Sequence, residues 1–358
     1  MRGAERSLAR IADIWPSAPI STLLYDGEVF GERLAGHPVR TSRLQRLGAR
    51  QVHLEGPAAR DDRRGRAPAG LRPRPRHLEL QRLRPRRPAR RGRGPLCYCY
   101  TPFRYAWYEQ EAGVAQAPRP ARPLLRRTLK AIQRWDHRQA QRGTRYVAIS
   151  RLSQHPIREY WGVEADIVHP PVDLHRFTPA TPGDHLLFVG ELLRHKQVEV
   201  ALEAARQART PITIVGGGAD QARLRAEYAG SAEFLGRVDD EQLAALYASC
   251  RALIVPNIEE FGITAVEAQA SGRPVIAADG GGTRETVIDG QTGCFFPKGD
   301  VQALRRILSS PAIDQLAAAD MVHNAQRFSV EAFQNGIRRQ VALARAGACD
   351  DAARTAAA

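Results

Sequence analysis

Residues 185–218 read HLLFVGELLRHKQVEVALEAARQARTPITIVGGG, and the fold is decided there. His185 to Gly190 is a short apolar run, the pattern of a strand buried on both faces. A helical segment follows over 196–208, then a second strand over 211–215 that ends in Gly216, Gly217 and Gly218. The alternation continues downstream. A helix over 219–229 precedes a strand over 232–235, and Asp239-Asp240 opens a helix over 240–249. A strand over 252–255 leads to a helix from Gly262. Strands over 274–278 and 293–296 and a helix over 300–308 complete the series. Strands alternating with helices of this length predict right-handed βαβ units and a parallel sheet, a Rossmann-like domain.

Upstream the pattern is looser. We expect a helix over 3–15, strands over 20–25 and 96–101, a long basic helix over 121–141, a strand over 146–150 and a helix from Ser150 to about Tyr160. Ile167 and Val168 start a further strand, which Pro170-Pro171 stops. Cys97 and Cys99 read as alternate positions of one strand, because Cys-x-Cys without a second pair is a poor zinc signal. The length of 358 residues suits two domains. Five cysteines point to a reducing compartment, and the first twenty residues, broken by Arg2, Glu5, Arg6, Arg10 and Asp13, do not read as a secretory leader.

The formal charge of +15 would suggest nucleic-acid binding, but its position argues otherwise. Residues 60–94 hold fourteen arginines against Asp61, Asp62 and Glu79, which is +11 of that total, with no Lys, Val, Ile or aromatic residue. Such a stretch buries no core. It can be read as an Arg-rich nucleic-acid arm, as a solvated insertion, or as coding sequence translated out of frame. The third is our reading. Codons for Val-Ile-Ser-Ser-Ser-Ser-Ala-Phe-Ala-His-Gly-Val-Arg-Pro-Gly-Glu-Gly, preceded by one C and read from it, spell Arg76 to Gly92 as they stand. The hidden text is an apolar strand followed by a small polar loop.

In a doubly wound sheet, ligands bind beyond the carboxyl ends of the strands. Arg194 and Lys196 follow the first strand of the regular half, the glycine run follows the second, and Glu259, Glu260, Phe261 and Gly262 follow the fourth. Gly262 opens a helix whose free N–H groups favour an anion such as a diphosphate, and Glu267 lies one to two turns inside it, where an acid suits ribose hydroxyls. Plainer readings stand beside these: a solvated lysine, a tight glycine turn, and acids that complement a helix N-terminus. No Asp-x-Asp occurs, so a magnesium-held nucleotide is not suggested, and no P-loop motif occurs.

Residues 259–277 (EEFGITAVEAQASGRPVIA) resemble the Glu-x₇-Glu motif of the group 1 (family 4) retaining glycosyltransferases. Residues 234–238, Gly190 to Lys196 and 281–287 match that family at the expected distances, so the resemblance covers about 185–310. Gly3 to Arg6, Tyr98 to Trp107 and Pro170 to Asp173 resemble the bacterial mannosyltransferases of polysaccharide assembly. The resemblance implies an α/β protein of two facing Rossmann-like domains, the B-type glycosyltransferase fold. An acceptor-side domain would occupy 1–170, a nucleotide-sugar domain 171–310, and a helix and tail 311–358. Members begin with an apolar strand and a glycine-rich turn where this chain has Met1-Arg2. With 52–95 aberrant and expected to be disordered, the N-terminal domain is expected to be incomplete.

By the same resemblance, Lys196 and Arg194 neutralise the leaving diphosphate, helped by the backbone of Gly262 and Ile263. Glu267 holds the ribose, Val238 lies by the base and Glu259 contacts the donor sugar, while Gly190, Gly217, Phe261 and Thr264 complete the donor site. The implied reaction moves mannose from GDP-mannose, with retention and without metal or other cofactor, onto a lipid-linked or polysaccharide acceptor. The implied place is the cytoplasm, with peripheral contact at the inner face of the plasma membrane, and nucleic acid is not an expected partner. Two rivals remain: an inactive fragment that only binds nucleotide sugar, and a nucleic-acid-binding protein built on the arginine run. Glu191 stands where many members have Arg, and Tyr100 where many have His.

Overall fold

The computed structural model describes residues 3–22, 25–27, 34, 36–42, 45 and 95–356, with backbone alone for 347–356. The reading of 52–95 as aberrant and disordered therefore lies, apart from Pro95, outside the described residues. The chain divides into two compact units, one of 1–148, 153–167 and 336–358, the other of 149–152 and 168–335. The segment 311–358 does not stand apart: it belongs to the second unit through Asn335 and to the first from Gly336.

In the first unit, strands β1 (Ile20–Thr22) and β2 (Val39–Thr41) pair in parallel. Strands β3 (Leu96–Cys99), β4 (Arg145–Ala148) and β5 (Ala165–Ile167) form a second parallel sheet in the order β3-β4-β5. β5 starts two residues before the expected position and ends before Val168, because its pairing with Tyr146 to Ala148 is complete at Ile167. Cys97 and Cys99 do alternate on one strand, with Cys99 buried against Tyr146, Ala148, Ile157 and Trp161. The helix Arg122–Ala140 turns Leu125, Leu129 and Ile132 towards Ala106, Val114 and Trp107. Its buried Asp136 accepts both indole N–H groups of Trp107 (3.0 Å) and Trp161 (2.7 Å), so a carboxylate is satisfied inside an apolar layer.

The second unit holds six parallel strands: β6 (Leu186–Val189), β7 (Ile212–Val215), β8 (Glu233–Gly236), β9 (Ala252–Val255), β10 (Val275–Ala278) and β11 (Gly293–Phe296). Their order is β8-β7-β6-β9-β10-β11, that of a doubly wound dinucleotide-type sheet, with the direction of winding reversing between β6 and β9. Leu186, Phe188, Ile212, Ile214, Ala252, Ile254, Ile276 and Ala278 share one face, under Leu202 and Ala205 of the helix Val198–Ala208 and Leu304 of the helix Val301–Leu308. Full burial of each such Leu, Ile or Phe contributes about 1.5–3 kcal/mol. Both faces are covered, which is why the strands read as continuous apolar runs. Among the described residues no helix is long and apolar enough to cross a membrane.

Candidate functional site

The winding reverses between β6 and β9, and the chain places charged loops just beyond their carboxyl ends, where doubly wound sheets bind their ligands. After β6 the backbone runs through Gly190 to the short turn Arg194–Lys196. Gln197 then adopts the left-handed conformation, φ 51°, and starts the helix Val198–Ala208. A non-glycine residue in that region carries strain, and here it directly follows the candidate lysine. After β9, Asn257, Glu259 and Phe261 lead to Gly262, φ 91°, which opens the helix Ile263–Ala270. The first N–H groups of that helix have no earlier carbonyl within it.

Lys196 Nζ donates to Glu259 Oε1 at 2.7 Å, which joins the two loops, and both side chains are partly exposed, at 20% and 26%. Asn257 Nδ2 donates to the same oxygen at 2.9 Å. Asn257 is buried and orients the acid from below; the sequence reading passed over it, although it lies only two positions beyond β9. Arg194 is exposed on the same turn. Val238 follows β8, two strands from β6, and is half-buried, as are Ile263 and Thr264 on the first helical turn.

Glu267 is 3% exposed, and Tyr247 Oη donates to its Oε2 at 2.9 Å. Tyr247, itself fully buried and edge-on to Phe177, had not been singled out in the sequence. Phe261 is likewise packed inside: its ring stacks on His169, with centroids 5.4 Å apart, and meets Phe328 edge-on at 5.5 Å. It supports the turn before Gly262 from within.

The two glycine runs hold the two loops. Gly216 has φ 129°, and a Cβ there would lie 1.8 Å from the Gly190 carbonyl oxygen. Leu192 N donates to Gly217 O, and Asp220 N to Leu192 O, so the Lys196 loop is laid backbone to backbone on the run after β7. Gly280 to Gly282 do the same for the other loop. A Cβ on Gly281 would lie 2.5 Å from Glu259 O, and Gly282 N donates to that carbonyl at 2.8 Å. The run after β7 is therefore more than a tight turn, since close backbone approach excludes a side chain at Gly216 and at Gly218, where a Cβ would lie 2.3 Å from the Leu192 carbonyl oxygen; Gly217 between them meets only the Gln221 side chain, at 3.2 Å. In the first unit, Tyr100 donates to Ser7 Oγ at 2.7 Å.

Residues 176–328 match the family model of the glycosyl transferases group 1. The chain is 33% identical over 210 residues to D-inositol 3-phosphate glycosyltransferase of Frankia alni, which covers 49% of this chain and 52% of that one. It is 37% identical over 133 residues to O-antigen chain mannosyltransferase C of Escherichia coli, covering 35% and 36%. The chain thus spans about half the length, or less, of these curated relatives. Among solved structures, sucrose-phosphate synthase from Thermosynechococcus elongatus matches at 25% identity and a TM-score of 0.54, over 70% of this chain and 68% of that one. Anabaena HepE, solved with UDP and glucose, shares the fold over 95% and 96% at 17% identity and a TM-score of 0.61. The parallel-sheet α/β architecture is that of the B-type glycosyltransferases, and the segment that carries Lys196, Glu259, Gly262 and Glu267 is a group 1 glycosyltransferase domain.

Proposed function

We propose that the protein transfers a sugar, mannose from GDP-mannose, with retention of anomeric configuration onto a lipid-linked or polysaccharide acceptor. One observation carries this reading: the Lys196–Glu259 pair beside the Gly262 helix start, where β6 and β9 end. In glycosyl transfer, negative charge grows on the leaving diphosphate and positive charge on the sugar carbon. Fixed groups that match this growth lower the barrier. Lys196 and the N–H groups after Gly262 would take the diphosphate, with Arg194 at the rim. Glu259 would face the sugar and Glu267 the ribose. The likeness to an O-antigen chain mannosyltransferase supports mannose as the sugar and a glycan as the acceptor.

In this proposal Lys196 and the helix start supply the neutralisation, so a chelator should leave turnover unchanged. The acceptor places the work at the cytoplasmic face of a membrane. The test is incubation of the purified chain with GDP-mannose and a polyprenyl-diphosphate-linked glycan, with the configuration of the product read by nuclear magnetic resonance. Product with inverted configuration would overturn retention. Donor binding without product would leave a nucleotide-sugar-binding protein that transfers nothing.

A further inference from the structure

The helix Arg122–Ala140 has an exposed outer face, one that does not share in the hydrophobic packing of the described residues. Leu125, Leu129, Ile132, Asp136 and Ala140 recur at helical spacing and form the inner face. Leu124, Arg127, Ala131, Arg134, Trp135 and Arg138 recur at the same spacing on the other side, and all six are exposed, Leu124 at 70% and Trp135 at 40%. Both are among the most exposed large apolar side chains of the described residues. Every charge on this outer face is positive, because Asp136, the only acid of the helix, is turned inward between two indoles. Arg126 is taken up by Glu111, and Arg122 by the carbonyls of Ala115 and Ala117. Among the described residues, neither Arg127 nor Arg134 is paired with an acid.

A helix that sets an apolar residue near each end of a basic stripe suits the headgroup region of a bilayer. Leu and Trp enter the acyl boundary, and arginines with long apolar stems reach the phosphates. At 1.5 Å per residue the helix is about 28 Å long, and Leu124 and Trp135 are about 16 Å apart along it, so it would lie flat. We propose that this face docks the protein on an anionic lipid bilayer. Nucleic acid fits less well, since a phosphate backbone offers nothing to Leu124. The proposal deepens the reading of a lipid-linked acceptor by naming the surface that meets the lipid, and its test needs no transfer.

The full chain is sedimented with phosphatidylcholine vesicles, with and without phosphatidylglycerol, and Trp135 is probed by quenching with brominated lipids. The parent should bind the anionic vesicles and release them in high salt. Arg127→Gln, Arg134→Gln and Arg138→Gln together should lower partitioning by about a hundredfold, and Leu124→Ser with Trp135→Ser by roughly tenfold. Circular dichroism and donor calorimetry should be unchanged in both sets, which separates failure here from failure of the transferase reading. The residues 60–94 are present in every variant, so contact made through them would be indifferent to Leu124 and Trp135. Absence of vesicle binding, or equal binding by parent and variants, would overturn the proposal. So would a DNA duplex that displaces the vesicles and is weakened by both variant sets.

Discussion

Tyr247 places its hydroxyl 2.9 Å from Glu267 Oε2 in the interior of the second unit, so the acid that the proposed function sets against the ribose is held from behind by a phenol. The helix spacing puts Glu267 near the site, and Tyr247 sets its rotamer. Glu267→Ala should weaken nucleotide-sugar affinity by about 1.5–3 kcal/mol and Tyr247→Phe by about 1 kcal/mol. The two effects should be non-additive, because the tyrosine acts through the acid. Calorimetry on the four proteins of the cycle measures this. Additive losses would separate Tyr247 from the site, and unchanged affinity in Glu267→Ala would make Glu267 a structural acid.

Lys196 joins the two loops and, in the proposed reaction, neutralises the departing diphosphate. Lys196→Ala should lower turnover by about a hundredfold, on the order of 3 kcal/mol of barrier, with little change in thermal stability. Steady-state transfer rates and a melting curve test both parts. A variant as active as the parent would remove Lys196 from the chemistry.

Gly281 has φ 66° and no room for a side chain against Glu259 O, whereas Gly290, φ 72°, has nothing within 4 Å. Gly290→Ala should cost only the backbone strain, about 1 kcal/mol. Gly281→Ala should cost about 2–4 kcal/mol and also reduce turnover, because the displaced loop carries Glu259. Equal melting temperatures for the two variants would show that the loop moves freely and that its seat on the glycine run is unimportant.

Asp136 satisfies two buried indole donors at once. Asp136→Ala leaves both without their acceptor, at about 1–3 kcal/mol each. Urea unfolding should show early loss of the first unit by tryptophan fluorescence, since Trp15, Trp107, Trp135 and Trp161 all lie in it, while a later transition seen by far-ultraviolet circular dichroism, that of the second unit, keeps its midpoint. A single unshifted transition would contradict this account.

Burial pushes the Cys250 thiol up to about 12, with Arg273 acting in the opposite direction, and the Cys294 thiol up to about 11. Both are therefore neutral at pH 8 and should resist iodoacetamide until the domain unfolds. A thiol whose pKa is raised by folding supports the native state below its unfolded value near 9, and that support is lost as pH rises towards 11–12. Alkylation at pH 8 in the native protein, read by peptide mass, would refute this.

Local information carried most of the second unit. The six strands from Leu186 to Phe296 stand where the apolar runs placed them, because a parallel sheet covered on both faces imposes a pattern that short windows already show. Lys196, Glu259 and Gly262 could be singled out as candidates for a related reason: strand ends are where such sheets bind, and each of these residues lies in a loop that follows one. Tertiary structure alone decided what joins them. Asn257 orients Glu259, Tyr247 holds Glu267, and Gly281 lies under Glu259, through contacts between residues 2, 20 and 22 positions apart in chain. No periodicity encodes such distances, which follow from how the strands are ordered in the sheet. The helix Arg122–Ala140 shows the same division. Its basic composition was visible as sequence, whereas the burial of Asp136 and the exposure of Leu124 and Trp135 depend on which face the packing of Leu125 and Leu129 turned inward. A side chain's spacing on a helix follows from the chain, but which stripe meets the core is settled only when the neighbouring elements bury it.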